Sequence, residues 1–412
     1  MTRITERGAF YLTCGSAVAI LFSIAVSQIL LALAFAALLL SGQKMRFPPI
    51  KLPLLLFVGG TIVSLLLSGH VRDGTPQIRK FFVLLILLLV YSTFRSLTEV
   101  RTIVLIWTGV ASLSALRSLF QFLQKYQEAR DLGRNFYDYY VGERITGFMS
   151  HWMTFGGEEM IVLLLLAAYL FFSPDRKWKI AGWFCAAILS VSLVLGFTRS
   201  IFLLGVPAGL LYLLWFWRRW LVAAVPVAAV IAILLAPPSV KERVTSIFQP
   251  HGETDSNMHR VITRRTGIQM IRKHPLFGLG PEQVKAQFND YVPADIPRPL
   301  PEGWYGHLHN IYLQYAAERG VPTALALFWM IGKILYDFAA MLRTKLGDSE
   351  ARFVLHGAIA VILAILAEGF FEYNLGDSEV LTMFLIVVGF GYLARDMAVG
   401  VAPVREAEQI AA

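Results

Sequence analysis

The chain has 412 residues, of which 56% are hydrophobic and 16% charged, with a formal net charge of +9; its mean hydropathy is +0.60. A soluble domain carries about 25% charged residues, so this composition excludes an ordinary soluble globular protein and indicates an all-α polytopic membrane protein. Two cysteines, Cys14 and Cys185, lie in apolar runs. They are too few for a disulfide framework and have no metal-ligand spacing.

A transmembrane helix requires about 20 mainly apolar residues. In chain order that template predicts about twelve spans, at 10–26, 28–40, 52–68, 81–94, 100–123, 160–172, 180–197, 201–217, 221–236, 321–342, 353–370 and 380–394. The first two share one uncharged stretch from Ala9 to Gln43 and read as a hairpin. Arg3 and Arg7 precede an apolar run, as in a signal peptide, but the further spans favour an uncleaved anchor. The division that follows is 1–236 for spans one to nine, with an external loop at 124–159. A large external helical loop occupies 237–320, spans ten to twelve fill 321–395, and 396–412 is a cytoplasmic tail.

Lysine and arginine near span ends set orientation. With an even number of spans, both termini lie on one side. That side holds Arg3, Arg7, Lys44, Arg46, Lys51, Arg95, Arg101, Arg176, Lys177, Lys179, Arg218, Arg219, Arg343, Lys345, Arg352, Arg395 and Arg405, all in short basic segments. It is therefore the expected cytoplasmic side, and the net charge is mostly an orientation signal rather than a sign of nucleic-acid binding.

The external side carries the candidate chemistry. "SNMHRVITRRTGIQMIRKHPLFGLGPEQV" predicts a helix with Ser256 or Asn257 as N-cap, broken at Pro275, Gly278, Gly280 and Pro281. Arg260 and Arg264 share one face at i, i+4, and Arg265 and Arg272 the neighbouring one. That basic ribbon is either a solvated or headgroup-facing helix or a site for a phosphorylated ligand, whose oxygens an arginine fork matches. Arg199 falls in a very short turn between two apolar spans, where a cation snorkels to headgroups or is functional. Arg79, Lys80, Arg117 and Arg144 also gather at external helix mouths, against the positive-inside trend, as a polyanionic ligand at the membrane surface would require.

Among acid–base groups, His309 is the candidate general base, since neutral imidazole is available near neutral pH. His307, His151 and His251 are alternatives, and any of them also suits an interfacial histidine with a backbone partner. The His307/His309 spacing suits a metal poorly, and no HExxH or DxD companion is present. Glu368, Glu372, Asp377 and Glu379, in or beside the last external turn, could orient a histidine or a cation, and Asp377 and Glu372 are the alternative bases. There is no Walker A loop, no dinucleotide glycine motif after a strand and no GxSxG elbow. Neither a cofactor nor a metal is expected. Lys333 and Asp337, i and i+4 within span ten, read as a structural ion pair or, in a transporter, a proton relay.

These residues resemble the O-antigen ligase and polymerase superfamily of bacterial inner membranes. The ligase motif of that family is His, then Asn, Ser or Gln, nine residues, Gly, two residues, then Gly, Thr or Tyr; here His309, Asn310, Gly320 and Thr323 fit it. Arg260 ahead of "HPLFGLGP" resembles the Arg-(x)n-hPLxGxG element, with Arg264 where the family often has Trp. "TRS" at 198–200 and "RITGFMSHWMTFG" at 144–156 resemble two further elements. The resemblance implies inverting transfer of O-antigen polysaccharide from undecaprenyl pyrophosphate to a sugar hydroxyl of lipid A-core at the periplasmic face. It implies His309 as base, helped by Asn310 and His307. Arg199 and Arg260, with Arg265 and Arg144, would hold the pyrophosphate, with no metal and no ATP. The rivals are a polymerase or a protein O-oligosaccharyltransferase of the same superfamily. From another class, a transporter would show acidic or basic groups at mid-span on several helices.

Overall fold

The computed structural model describes residues 2–249, 257–301, 303–344, 346 and 349–400. His251, Ser256, Lys345, Arg405 and most of the expected tail lie outside the described residues. The described chain is helical, without strands. In order the helices are α1 (Thr2–Ala19), α2 (Ile24–Leu40), α3 (Lys51–Leu67), α4 (Val71–Arg79), α5 (Leu85–Thr93), α6 (Leu97–Asp131), α7 (Phe136–Gly142), α8 (Trp152–Phe172) and α9 (Lys179–Leu195). They continue with α10 (Val206–Arg218), α11 (Trp220–Leu235), α12 (Pro238–Thr245), α13 (Asn257–Lys273), α14 (Gln283–Gln287), α15 (Ile311–Arg319), α16 (Val321–Arg343), α17 (Ser349–Glu368) and α18 (Ser378–Ala398).

Among the described residues, seven helical segments are long and apolar enough to cross a membrane: Val71–Thr93, Leu97–Asp131, Trp152–Phe172, Ile201–Arg218, Val321–Arg343, Glu350–Glu368 and Ser378–Ala398. Four apolar helices are shorter: Ile24–Leu40, Lys51–Leu67, Lys179–Leu195 and Trp220–Leu235. The chain is therefore a polytopic α-helical membrane protein. The break in the first hairpin comes earlier than expected: Ser23 leaves helical geometry, accepts a hydrogen bond from the Val26 N–H and starts α2. Two helices also run further into polar sequence than apolarity alone suggests. α6 extends to Asp131, and α8 begins at Trp152, which buries Glu158 and Glu159 inside it.

The core follows from helices that are apolar on every face, which must be enclosed by others. α8 is buried continuously from Thr154 to Leu170 and packs against α17, α9 and α6; α17 in turn packs against α18 and α10. The two ends of the bundle differ. At one end Arg46 pairs with Asp396 at 2.9 Å, Arg101 with Glu350 at 2.6 Å, and Lys333 with Asp337 at 2.9 Å. Tyr392 also donates to Asp337 at 2.9 Å and Arg395 lies 3.7 Å from it, so the Lys333/Asp337 pair belongs to a structural network. At the other end the polar groups surround a cavity of about 1010 Å³.

The short helix α15 carries the motif residues into that cavity. Asn310 is its N-cap, its side chain accepting from the Leu313 N–H at 2.8 Å. The last carbonyls of a helix have no intrahelical partner. Here those of Ala317 and Glu318 accept from the N–H groups of Leu279 and Gly280 at 2.9 and 2.8 Å. The "HPLFGLGP" segment is thus the seat on which α15 ends. Gly320 then turns the chain with φ +80°; a Cβ there would lie 2.0 Å from the Leu276 carbonyl oxygen. Pro322 follows in the first turn of α16.

Candidate active site

The cavity wall is built from the His151–Met153 segment, the start of α13, the 301–309 loop, one face of α15 and the turn between α17 and α18. His307 and His309 are held in it by their own backbone. His309 has φ +48°, a left-handed conformation that costs a non-glycine residue about 1–3 kcal/mol. It is fixed from both sides: the Leu308 N–H donates to Gln314 at 2.8 Å, and the His309 N–H donates to His307 Nδ1 at 3.1 Å. The Asn310 side chain donates to the Phe370 carbonyl at 2.9 Å, and the Ile311 N–H donates to the Gly369 carbonyl at 2.9 Å. The motif is thereby tied to the turn that carries Glu372.

His309 Nδ1 lies 3.1 Å from Glu372 Oε1. An ionised carboxylate only accepts hydrogen bonds, so Nδ1 carries a proton, and in the neutral imidazole Nε2 is the atom left with the lone pair. Nε2 is buried and has no hydrogen-bond partner. Burial by itself raises the Glu372 carboxyl, but the hydrogen bond from His309, with Arg260 nearby, holds it at about 2. His307, by contrast, is pushed down to about 3 by burial and then by the His309 charge, so it stays neutral, consistent with its Nδ1 accepting a backbone N–H.

One neighbour of His309, and one buried arginine whose charge acts on Arg144 and Arg260, were not legible in the sequence. The His259 ring meets that of His309 edge-to-face at 5.1 Å, and its Nε2 lies 3.0 Å from the Trp304 carbonyl. Burial, then the His309 charge, lowers it to about 4. Arg243 is buried, its Nε donating to the Phe197 carbonyl at 3.0 Å. Nothing in "KERVTS" separates Arg243 from a solvated helix residue.

The expected arginines divide into two groups. Arg260 and Arg144 line the cavity. Arg260 lies 3.8 Å from Glu372 and over the Phe371 ring at 5.8 Å; Arg144 lies over the Trp152 ring at 5.0 Å and donates to the Val141 carbonyl at 2.9 Å. Burial lowers Arg144 to about 9, and the charges of Arg243, Arg260 and Arg199 push the same way. Arg260 is lowered too, by burial first, against the pull of Glu372. Guanidinium groups that repel one another in this way are an arrangement that a polyanion would relieve. Arg199 and Arg265 are not among the lining residues. Arg199 is buried and donates to Ser246 at 3.0 Å and to Asn257, the first residue of α13, at 2.8 Å. One terminal nitrogen of Arg265 donates to both carboxylate oxygens of Asp295, at 2.8 and 2.9 Å, on an exposed surface.

Asp377 lines the cavity but is engaged as the N-cap of α18, accepting from Glu379 and Val380, and it accepts from Thr154 at 2.5 Å. His151 caps α8 and stacks on Trp152 at 4.3 Å. His307, His309 and Glu372 offer donor atoms within 4.8 Å of one another, the spacing of a three-ligand metal set. In that trio His309 Nδ1 is already bonded to Glu372, and His307 Nδ1 to backbone.

Residues 184–328 match a family model described as O-antigen ligase. The match spans Arg199, Arg243, Arg260 and His309 and stops short of Arg144 and Glu372. The chain is also similar to the glycerol-3-phosphate acyltransferase of Syntrophotalea carbinolica, at 24% identity over 171 residues, which is 41% of this chain and 83% of that protein.

Proposed function

We propose that this chain, whose residues 184–328 match the O-antigen ligase family model, is a glycosyltransferase of the bacterial inner membrane whose cavity faces the periplasm. It would move O-antigen polysaccharide from undecaprenyl pyrophosphate to a sugar hydroxyl of lipid A-core. The observation that carries this reading is the pairing, in one cavity, of a histidine with a free Nε2 and a cluster of arginines.

The acceptor oxygen attacks the anomeric carbon as the C1–O bond to phosphate breaks. Its proton goes to His309 Nε2. The Glu372 carboxylate stabilises the imidazolium that forms, as the carboxylate of a catalytic triad does. Undecaprenyl pyrophosphate leaves with one further negative charge, which Arg260 and Arg144 receive. Charge stabilisation by donors already in place is worth most where water is excluded. Arg199 fits a positioning role, since it holds the first residue of the helix that presents Arg260. Direct attack inverts the anomeric centre.

The test uses purified full-length protein in lipid vesicles, with undecaprenyl-pyrophosphate-linked glycan as donor and lipopolysaccharide lacking O-antigen as acceptor. Glycan on lipid A-core, lost in His309→Gln, is the expected result. Glycan lengthened on the lipid carrier instead would make the chain a polymerase, and full turnover by His309→Gln would remove His309 as the base.

A further inference from the structure

The glycosyl-transfer reading uses only part of the cavity lining. Arg144 and Arg260 line it beside the Glu372 turn. Another stretch of wall is formed by Gln77, Glu282, Gln314 and Glu318, which the proposed reaction leaves without a task. Asn310, Gln314 and Glu318 recur every fourth residue along α15, so they share one face. That face leads from the proposed base to a point about 12 Å away, at 1.5 Å per residue.

This wall is constructed rather than merely polar. Glu318 is 2% exposed, and its Oε1 accepts from the Glu282 N–H at 3.1 Å and the Gln314 amide at 2.9 Å. Its Oε2 is buried with no hydrogen-bond partner, and Arg319 behind it is 3.7 Å away. Gln77 donates to Glu282 and accepts from Arg319. Glu282 holds φ +66°, one of three non-glycine residues with positive φ among those described; a second is His309 on the same cavity. Strained backbone collects at ligand sites. Lys80 also lines the cavity, and its ammonium donates to the Gly376 carbonyl at 3.2 Å.

We propose that Gln77, Glu282, Gln314 and Glu318 form a subsite for an uncharged sugar, which donates hydroxyl hydrogens to the carboxylates and is exchanged for a phosphorylated sugar only at a loss. Carboxylates and side-chain amides are the complement of a ring bearing several hydroxyls, and a buried acceptor with no partner is the group such a hydroxyl would satisfy. Glu282 and Glu318 disfavour a phosphate here, although Arg319 at 3.7 Å offsets part of the Glu318 charge. The subsite's place along α15 suits a sugar beyond the reacting one. The proposal rests on the glycosyl-transfer reading, and the sugar can come from either substrate.

Glu318→Gln separates this from a structural role, because one amide oxygen still accepts the Glu282 and Gln314 hydrogen bonds while the unpartnered oxygen is lost. Initial rates would be measured with full-length protein in vesicles, varying in turn lipopolysaccharide lacking O-antigen and undecaprenyl-pyrophosphate-linked glycan. Gln77→Ala serves as second variant, and His309→Gln runs in parallel. A charge-assisted hydrogen bond lost at a sugar raises KM on the order of tenfold or more. A rise confined to the lipopolysaccharide KM in both variants means an acceptor sugar; a rise confined to the donor KM means a donor sugar. Unchanged KM for both substrates, or a fall in kcat with lowered thermal stability and unchanged KM, would overturn the subsite. Activity surviving in His309→Gln would instead strike at the reaction mechanism, whatever the KM values of the other variants.

Discussion

Replacing Glu372 by Gln tests the proposed chemistry at its most exposed point. Gln keeps the size, and its amide oxygen can still accept from His309 Nδ1, which Glu372 now holds at 3.1 Å. What it removes is the negative charge facing the imidazolium of the transition state. Two unit charges about 4 Å apart at an effective dielectric constant of about 20 interact by about 4 kcal/mol. At about 1.36 kcal/mol per tenfold, that is a loss of about 10³ in kcat. KM for the donor should change little, because the arginines remain, although Arg260 loses its neighbour at 3.8 Å. The assay is kcat against pH for wild type and variant in the same vesicles. A Glu372→Gln rate within about threefold of wild type, with an unaltered pH profile, would refute the histidine–carboxylate pair and the charge assignment built on it.

Arg260→Lys keeps the charge but loses the fork, so the rate should drop by about 10²-fold or more, in line with the about 2.7–4 kcal/mol of a lost transition-state donor; Arg265→Ala, far from the cavity, should transfer glycan normally, and equal losses in both would contradict the division of the arginines. His259 is pushed by burial, then by His309, to about 4, whereas an unfolded histidine titrates near about 6.5. The unfolded chain therefore binds the proton first, and stability should fall as pH drops from about 6.5 to about 4; thermal unfolding of His259→Phe across that window should show a shallower slope than wild type. Gly320→Ala places a Cβ 2.0 Å from the Leu276 oxygen at φ +80°, so it should lower the unfolding midpoint and the yield of folded protein, while Gly332→Ala, with open space around it, should match wild type. Chelation by EDTA should leave the wild-type rate unchanged; a loss restored by a divalent ion would make His307, His309 and Glu372 a metal site.

The class of fold was legible because burial in lipid demands long apolar runs, and those runs are visible residue by residue. Where a helix carries charge into the interior, as α8 does with Glu158 and Glu159, hydropathy puts its start too late. His309 and Arg260 could be read from a short motif because the motif is local: a cap, a helix and a glycine stop. Glu372 could be named only as one of four external carboxylates able to orient a histidine. His259 and Glu318 could not be read at all, since they reach the cavity through packing between segments far apart in sequence. Arg265 shows the limit of face counting. Five residues after Arg260 on an α-helix, it lies about 140° round the axis, so one helix cannot turn both to the same cavity, and Arg265 meets Asp295 instead.

The histidine and its carboxylate are separated by 63 residues, with α16 and α17 between them. Those helices must cross and return before the turn after α17 can close on the Asn310 cap through the Phe370 and Gly369 carbonyls. On the proposed mechanism, a chain whose His309 segment is in place before that turn is made carries an imidazole lacking its counter-charge. Competence would then arrive only with the final hairpin.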